Sequence, residues 1–269
     1  MREKIYNELI KLIDTTLEDK DVGPELHKLM DIFKISKEEL TKEILAYTLG
    51  KGVDEYENKH YQNLATRLTL HFHNLVKETY HRKRQKIIID FLRQINPKHI
   101  IDIGYGTPAP YLFEYMPENK EMTVTLADQD QTAEKFAREI IKNKNPEFLH
   151  RTKFKIYNMD TQEYPEDADV YLYLDSIEHT KKPTEYFHKI INQARKGSHF
   201  VLSIPICSMK GLENFHYAEW LTDEESRQWV KEGNLEIITE DVVYPNPKVD
   251  FFAELVEGGY HNYLVLARK

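Results

Sequence analysis

Two glycines and three aspartates between residues 102 and 160 have the types and spacing to hold a polar small molecule. The stretch "HIIDIGYGTPAP" (99–110) is an apolar run that stops in Gly104, Tyr105, Gly106 and a pair of prolines. Glycine permits unusual backbone angles and lets a ligand approach the main chain, and a helix start just after such a turn favours a carboxylate or phosphate. Asp102 lies two residues before the first glycine. Asp128 closes "TVTLAD", where a carboxylate can accept both hydroxyls of a ribose. Asp160 follows the third strand-like run, with Met159 beside it as an apolar face for a purine ring. Each acid also has a plainer reading. Asp102 can cap local amides, Asp128 can cap the helix "QTAEKFAREI", and Asp130 can take that cap instead.

The elements that position these residues fall into two grammars. To about residue 95 the pattern is helical. Ile5, Leu9, Ile13 and Leu17 form a four-residue stripe. Pro24 suits a first helical turn. Ser36 and Glu39 have capping-box spacing, and Gly50 stands as a stop. A helical stretch of about 54–80 and the segment "HRKRQKIIIDFLRQI" lead to Pro97. Beyond it, strands are expected at "HIIDIG", "TVTLAD", "RTKFKIYN", "ADVYLYLD", "SHFVLSIP", "LEIITEDVVY" and "YHNYLVLARK". Helices are expected around 109–116, 131–143, 183–194 and 222–232. Strands spaced by helices predict a mostly parallel sheet covered on both faces. The last two strands, with no helix between them, are expected to pair antiparallel at one edge. The domain expectation is a helical cap over residues 1–85 and an α/β domain over 86–269.

In an open α/β sheet, ligands sit outside the carboxyl ends of the strands, where "DIGYG" lies. The order of features resembles the class I S-adenosylmethionine-dependent methyltransferases of small-molecule type, over roughly residues 78–269. "IIDIGYG" matches the family's apolar strand ending D-x-G-x-G. Asp128 and Asp160 match its acids after the second and third strands. "DSIEHTKKPTEYFHKII" resembles its post-fourth-strand segment, and "NFHYAEWLTDEESRQWV" its histidine, aromatic and helix start after the fifth. The resemblance implies a Rossmann-like seven-stranded sheet ordered 3-2-1-4-5-7-6 with an antiparallel last strand. It implies S-adenosylmethionine as cofactor and S-adenosylhomocysteine as product. The cofactor residues it implies are Asp102, Gly104, Tyr105, Gly106, Asp128, Gln129, Met159, Asp160 and Asp175.

Pro108, Ala109 and Pro110 depart from the family pattern, which has a third glycine here. Prolines remove amide donors and stiffen the turn, so the methionine carboxylate is expected to be held differently. A proline-bearing turn is also similar to nicotianamine synthase, which transfers the aminocarboxypropyl arm instead of the methyl. A non-catalytic cofactor-binding subunit is a further alternative. The looser G-x-G-x-x-A pattern of Gly104 to Ala109 keeps a dinucleotide-binding reading in view.

Methyl transfer requires alignment and, for a neutral acceptor, removal of a proton. Asp175, Glu178, His179 and His216 are the candidates, with histidine best tuned near neutral pH. Their plainer roles are a helix start for Glu178 and His179, and packing of His216 under Trp220. Tyr61, His73, Tyr80, His216 and Tyr217 are candidate acceptor-binding residues, and Tyr56 joins them as a possible roof. An electron-rich cage of this kind also favours a cation.

Composition limits the classes. Lys and Arg number 37 against 45 Asp and Glu, a net charge of −8. That argues against broad binding to nucleic acid or an anionic membrane, and the basic run 81–86 reads as a solvated helix face. One cysteine, Cys207, cannot form an internal disulfide. With an amphipathic, charged opening segment, the expectation is a soluble, cytoplasmic enzyme acting on a small molecule, with a homodimer through the N-terminal helices possible. His71 and His73, two apart on a helix, point to different sides. His60 and His71 lie about 16 Å apart along a helix, so no metal site is expected.

Overall fold

The structure is a computed structural model, and it describes residues 2–48, 63–76, 78–163, 166–208, 217–250 and 259–269. Among the described residues four helices come first: α1 (Arg2–Glu18), α2 (Gly23–Phe33), α3 (Lys37–Thr48) and α4 (Leu64–Leu75). Then comes α5 (Tyr80–Ile95), which leads into β1 (His99–Ile103). The rest alternates: α6 (Tyr111–Glu114), β2 (Thr123–Asp128), α7 (Gln131–Lys144), β3 (Thr152–Ile156), β4 (Val170–Leu174), α8 (Pro183–Gln193), β5 (His199–Ile206), α9 (Asp223–Glu232), β6 (Glu236–Val243) and β7 (His261–Arg268).

All seven expected strands form, in the order β3-β2-β1-β4-β5-β7-β6. The first five run parallel, and β7 pairs antiparallel with both β5 and β6. Alternation along each strand explains the two-sided core. Ile100, Leu126, Leu172 and Val201 face one cluster with α5 and α7. Ile101, Ala127, Tyr171 and Leu202 face the other, with Phe187 of α8 and Trp229 of α9. Leu9, Ile13 and Leu17, the described part of the α1 stripe, are buried in a third cluster. It joins α1–α4 to Phe136 and Ile140 of α7. A charged bridge reinforces that seam: Glu25 of α2 lies 2.7 Å from His71 of α4 and 3.0 Å from Lys144 of α7.

Local signals account for the helix ends. Ser36 accepts from the Glu39 amide at 3.0 Å, half of the expected capping box. Pro24 sits in the first turn of α2, and Asp130 caps α7 through the Thr132 amide. Two expectations need correction. The 54–80 stretch is not one helix where it is described: α4 ends at Leu75, Glu78 takes a positive φ of 75°, and Thr79 caps α5 through the Arg82 amide. The threonine hydroxyl gives the chain an alternative to continuing the helix. The helix after β1 shrinks to four residues, with Pro110 at its cap position and no side-chain cap.

Candidate active site at the strand ends

The turn after β1 is shaped by two left-handed glycines. Gly104 has φ +68°, and a Cβ there would fall 2.7 Å from Ser176 Cβ and 3.7 Å from Met159 Cε. Gly106 has φ +60° and donates its amide to Asp128 Oδ2 at 3.1 Å. The loops after β1, β2, β3 and β4 thus converge on one place, which is where the register of neighbouring parallel strands puts their carboxyl ends.

Asp102, at the end of β1, is 1% exposed. Tyr111 donates to its Oδ2 at 2.9 Å, while Oδ1 has no partner. Burial pushes its carboxyl up to about 7; the Tyr111 bond and the charge of Arg84 pull the other way. Thr107 Oγ1 and Ser176 Oγ, also buried, have no partner either. Tyr105 is buried beside them, and burial together with Asp128 raises its phenol.

Asp128 is nearly buried and receives the Asp130 amide at 3.0 Å on its other oxygen. Gln129 and Asp160 lie at the exposed rim. Gln129 accepts from Asn158 at 3.3 Å, and Asp160 accepts from the Lys181 amide at 2.8 Å, fastening the loop after β3 to the one after β4.

Asp175 follows β4 with φ +51°. One oxygen accepts from Ser203 at 2.5 Å and Asn262 at 2.9 Å; the other is bound by Arg84. The carboxylate is therefore engaged on both sides. Arg84 is 5% exposed, and its Nε has no partner. The solvated reading of the basic run holds for Lys83 and Lys86 but not for His81 and Arg84, which are buried. The apolar stripe of α5 carries this signal: stepping back four residues from Ile88 and Ile89 lands on Arg84 and Gln85.

His73 and Tyr80 come together around His81. The His81 ring centroid is 4.0 Å from Tyr80 and 5.5 Å from His73, and Tyr260 lies 5.2 Å beyond Tyr80. Burial lowers His73 to about 4, and burial with the Arg84 charge lowers His81 well below the usual imidazole range. Glu178 and His179 form a 3-10 turn rather than the start of α8, with His179 Nε2 3.9 Å from Glu178 Oε1. Tyr217, an exposed ring, donates its amide to the Glu178 carbonyl at 2.8 Å. His216, Tyr61, Tyr56 and His60 lie outside the described residues. Among the described residues no group of three or more His, Cys, Asp or Glu could hold a metal, and no helix is long and apolar enough to cross a membrane.

Arg67 of α4, which no local sequence motif marks, also reaches this site. It is 1% exposed, and its Nη1 donates to the Gly106 carbonyl at 2.7 Å. The guanidinium lies 3.6 Å from Asp128 and 3.4 Å from Asp130.

No family model and no curated protein matches the sequence. Solved structures share the fold. An O-methyltransferase family protein from Burkholderia thailandensis aligns over 92% of this chain and 71% of its own, with 14% identity and a TM-score of 0.56. The Burkholderia thailandensis 1,6-didemethyltoxoflavin-N1-methyltransferase, solved with S-adenosylhomocysteine, aligns over 72% and 79%, with 17% identity and a TM-score of 0.51. The chain has the class I S-adenosylmethionine-dependent methyltransferase fold. That methyltransferase fold hosts other chemistry too: the [4+2]-cyclase SpnF aligns over 72% of this chain and 84% of its own, with 14% identity and a TM-score of 0.56. The fold therefore places a site without fixing its reaction.

Proposed function

We propose that this chain transfers the methyl group of S-adenosylmethionine to a small, polar or nitrogen-containing molecule. One observation carries the reading: Asp102 Oδ1, Thr107 Oγ1, Ser176 Oγ and Arg84 Nε are buried polar atoms without partners, on the elements around the Gly104–Gly106 turn. Buried donors and acceptors are costly to leave unpaired, so a polar ligand with both kinds of group fits there. Asp102 would hold the ammonium of the methionine end and Arg84 its carboxylate. Asp128 would take the ribose, with Met159, Asp160 and Gln129 beside the adenine.

When bound, the donor supplies an electrophilic methyl carbon on a positively charged sulfur. This chain's residues would orient the two partners and exclude water. The buried cluster of His73, Tyr80 and His81 closes the cap side. His179 and His216 are assigned as proton acceptors, with Glu178 oriented beside His179 and Tyr217 at the acceptor's rim. Asp175, engaged by Arg84, Ser203 and Asn262, is assigned as a positioning residue.

The test is incubation with donor labelled separately in the methyl group and in the carboxypropyl arm, against a panel of small amines, phenols and carboxylic acids, read by mass spectrometry. Methyl label in a product supports the reading. Transfer of the arm label, or donor binding with no transfer to any acceptor, contradicts it.

A further inference from the structure

We infer that Arg67 is a cap-borne positioning residue for the ribose of the bound nucleoside, acting through Asp128 and the Gly106–Thr107 peptide. The inference rests on the cofactor reading above and goes beyond the strand-end residues it names. A helix in a packed cap has no structural need to bury a guanidinium, because desolvating an arginine costs several kcal/mol unless its partners are well placed. Among the described residues, the partners of this guanidinium belong to the candidate site. The Gly106 carbonyl at 2.7 Å fixes the peptide after the left-handed glycine. Asp128 and Asp130 bracket the charge at 3.6 and 3.4 Å.

Two carboxylates this near one another repel, and the shared cation relieves that repulsion. With Arg67 in place, Asp128 stays oriented by the amides of Gly106 and Asp130, leaving its remaining lone pairs for a diol. The helix that carries Arg67 is itself anchored: Ala65, Leu68 and Phe72 pack in the cluster that includes Phe136 and Ile140 of α7. The element that follows Asp128 and the element that presents Arg67 are therefore clamped together. Cofactor binding and cap docking share one guanidinium.

The test uses the full chain, titrated with S-adenosylhomocysteine and with its 2′-deoxy analogue. For the unsubstituted protein the 2′-hydroxyl contributes a measurable preference. Arg67→Met is expected to weaken S-adenosylhomocysteine by about ten- to a hundred-fold, the range of a lost charged hydrogen bond. It is also expected to reduce the preference for the 2′-hydroxyl to within about two-fold. Arg67→Lys keeps the charge without the fork and is expected to fall between; it serves alone if the methionine variant does not fold. Unchanged affinity, tighter binding, or weaker binding with the 2′-hydroxyl preference intact overturns the role. Absence of binding by the unsubstituted chain removes the cofactor reading itself and the Arg67 role with it.

Discussion

Arg84 and Asp175, ninety-one residues apart, form a half-buried ion pair that joins α5 to the end of β4. The pair explains how an acid at a strand end can sit with a left-handed backbone and still be satisfied: Ser203 and Asn262 complete it from β5 and β7. Removing Asp175 leaves a buried guanidinium unpaired, whereas removing Arg84 leaves a half-buried carboxylate still held by Ser203 and Asn262. Asp175→Asn is expected to destabilise the fold by about 3–5 kcal/mol and Arg84→Met by less, with the double substitution costing less than their sum. Urea unfolding of the three variants measures this, and additive losses would show that the two side chains are independent.

Arg84→Lys separates the ligand role from the structural one. Lysine keeps a cation for Asp175 but lacks the Nε–H edge. S-adenosylhomocysteine should bind about tenfold more weakly, one charged hydrogen bond's worth. 5′-Methylthioadenosine, which has no amino-acid arm, should be unaffected. Equal losses for both ligands would place the carboxylate elsewhere.

Asp102 gives a pH signature. Its carboxyl titrates at about 7, against an ordinary value of 3.8, because of burial. An ammonium needs the ionised form, so affinity for S-adenosylhomocysteine should rise as pH passes from about 6 to about 8, with proton uptake by the buffer. In the ligand-free protein the sign is opposite. The folded state holds this proton more tightly than the unfolded chain, so the stability contributed by Asp102 is present below about 4 and is lost as pH rises through about 7. Asp102→Asn should remove both slopes. Tyr111→Phe removes the bond that lowers the carboxyl and should move the binding rise to higher pH. Calorimetry in two buffers of different ionisation enthalpy reads the proton directly.

The glycines should differ in tolerance. Gly104→Ala meets Ser176 Cβ at 2.7 Å in a left-handed conformation, whereas Gly106→Ala has Leu70 Cδ1 as its nearest neighbour at 3.5 Å. Gly106→Ala is expected to cost about 1 kcal/mol, the backbone term alone, and Gly104→Ala clearly more. Thermal unfolding of the two variants checks the order.

The strands and the glycine turn were legible because their signals are local: β-branched runs, a D-x-G-x-G step, and acids at strand ends. The sheet order followed from the family resemblance. Arg67 and Arg84 were hidden for the opposite reason. Gly106 lies 39 residues from Arg67 and Asp175 lies 91 from Arg84, and in one dimension Arg84 is only part of a basic run. The shortened α6 was half-legible, since Pro108 and Pro110 announced a disturbed turn without showing how little helix follows. The break before α5 carries no glycine or proline, only Thr79 competing for the backbone.

The central claim is that the strand-end site holds the nucleoside and amino-acid parts of S-adenosylmethionine. Calorimetric titration of the full chain with S-adenosylhomocysteine tests it most directly, with Asp128→Ala and a nicotinamide dinucleotide as controls. The account predicts one-to-one binding that Asp128→Ala abolishes and that the dinucleotide does not reproduce. A folded protein that takes up no S-adenosylhomocysteine, or that prefers the dinucleotide, would contradict it.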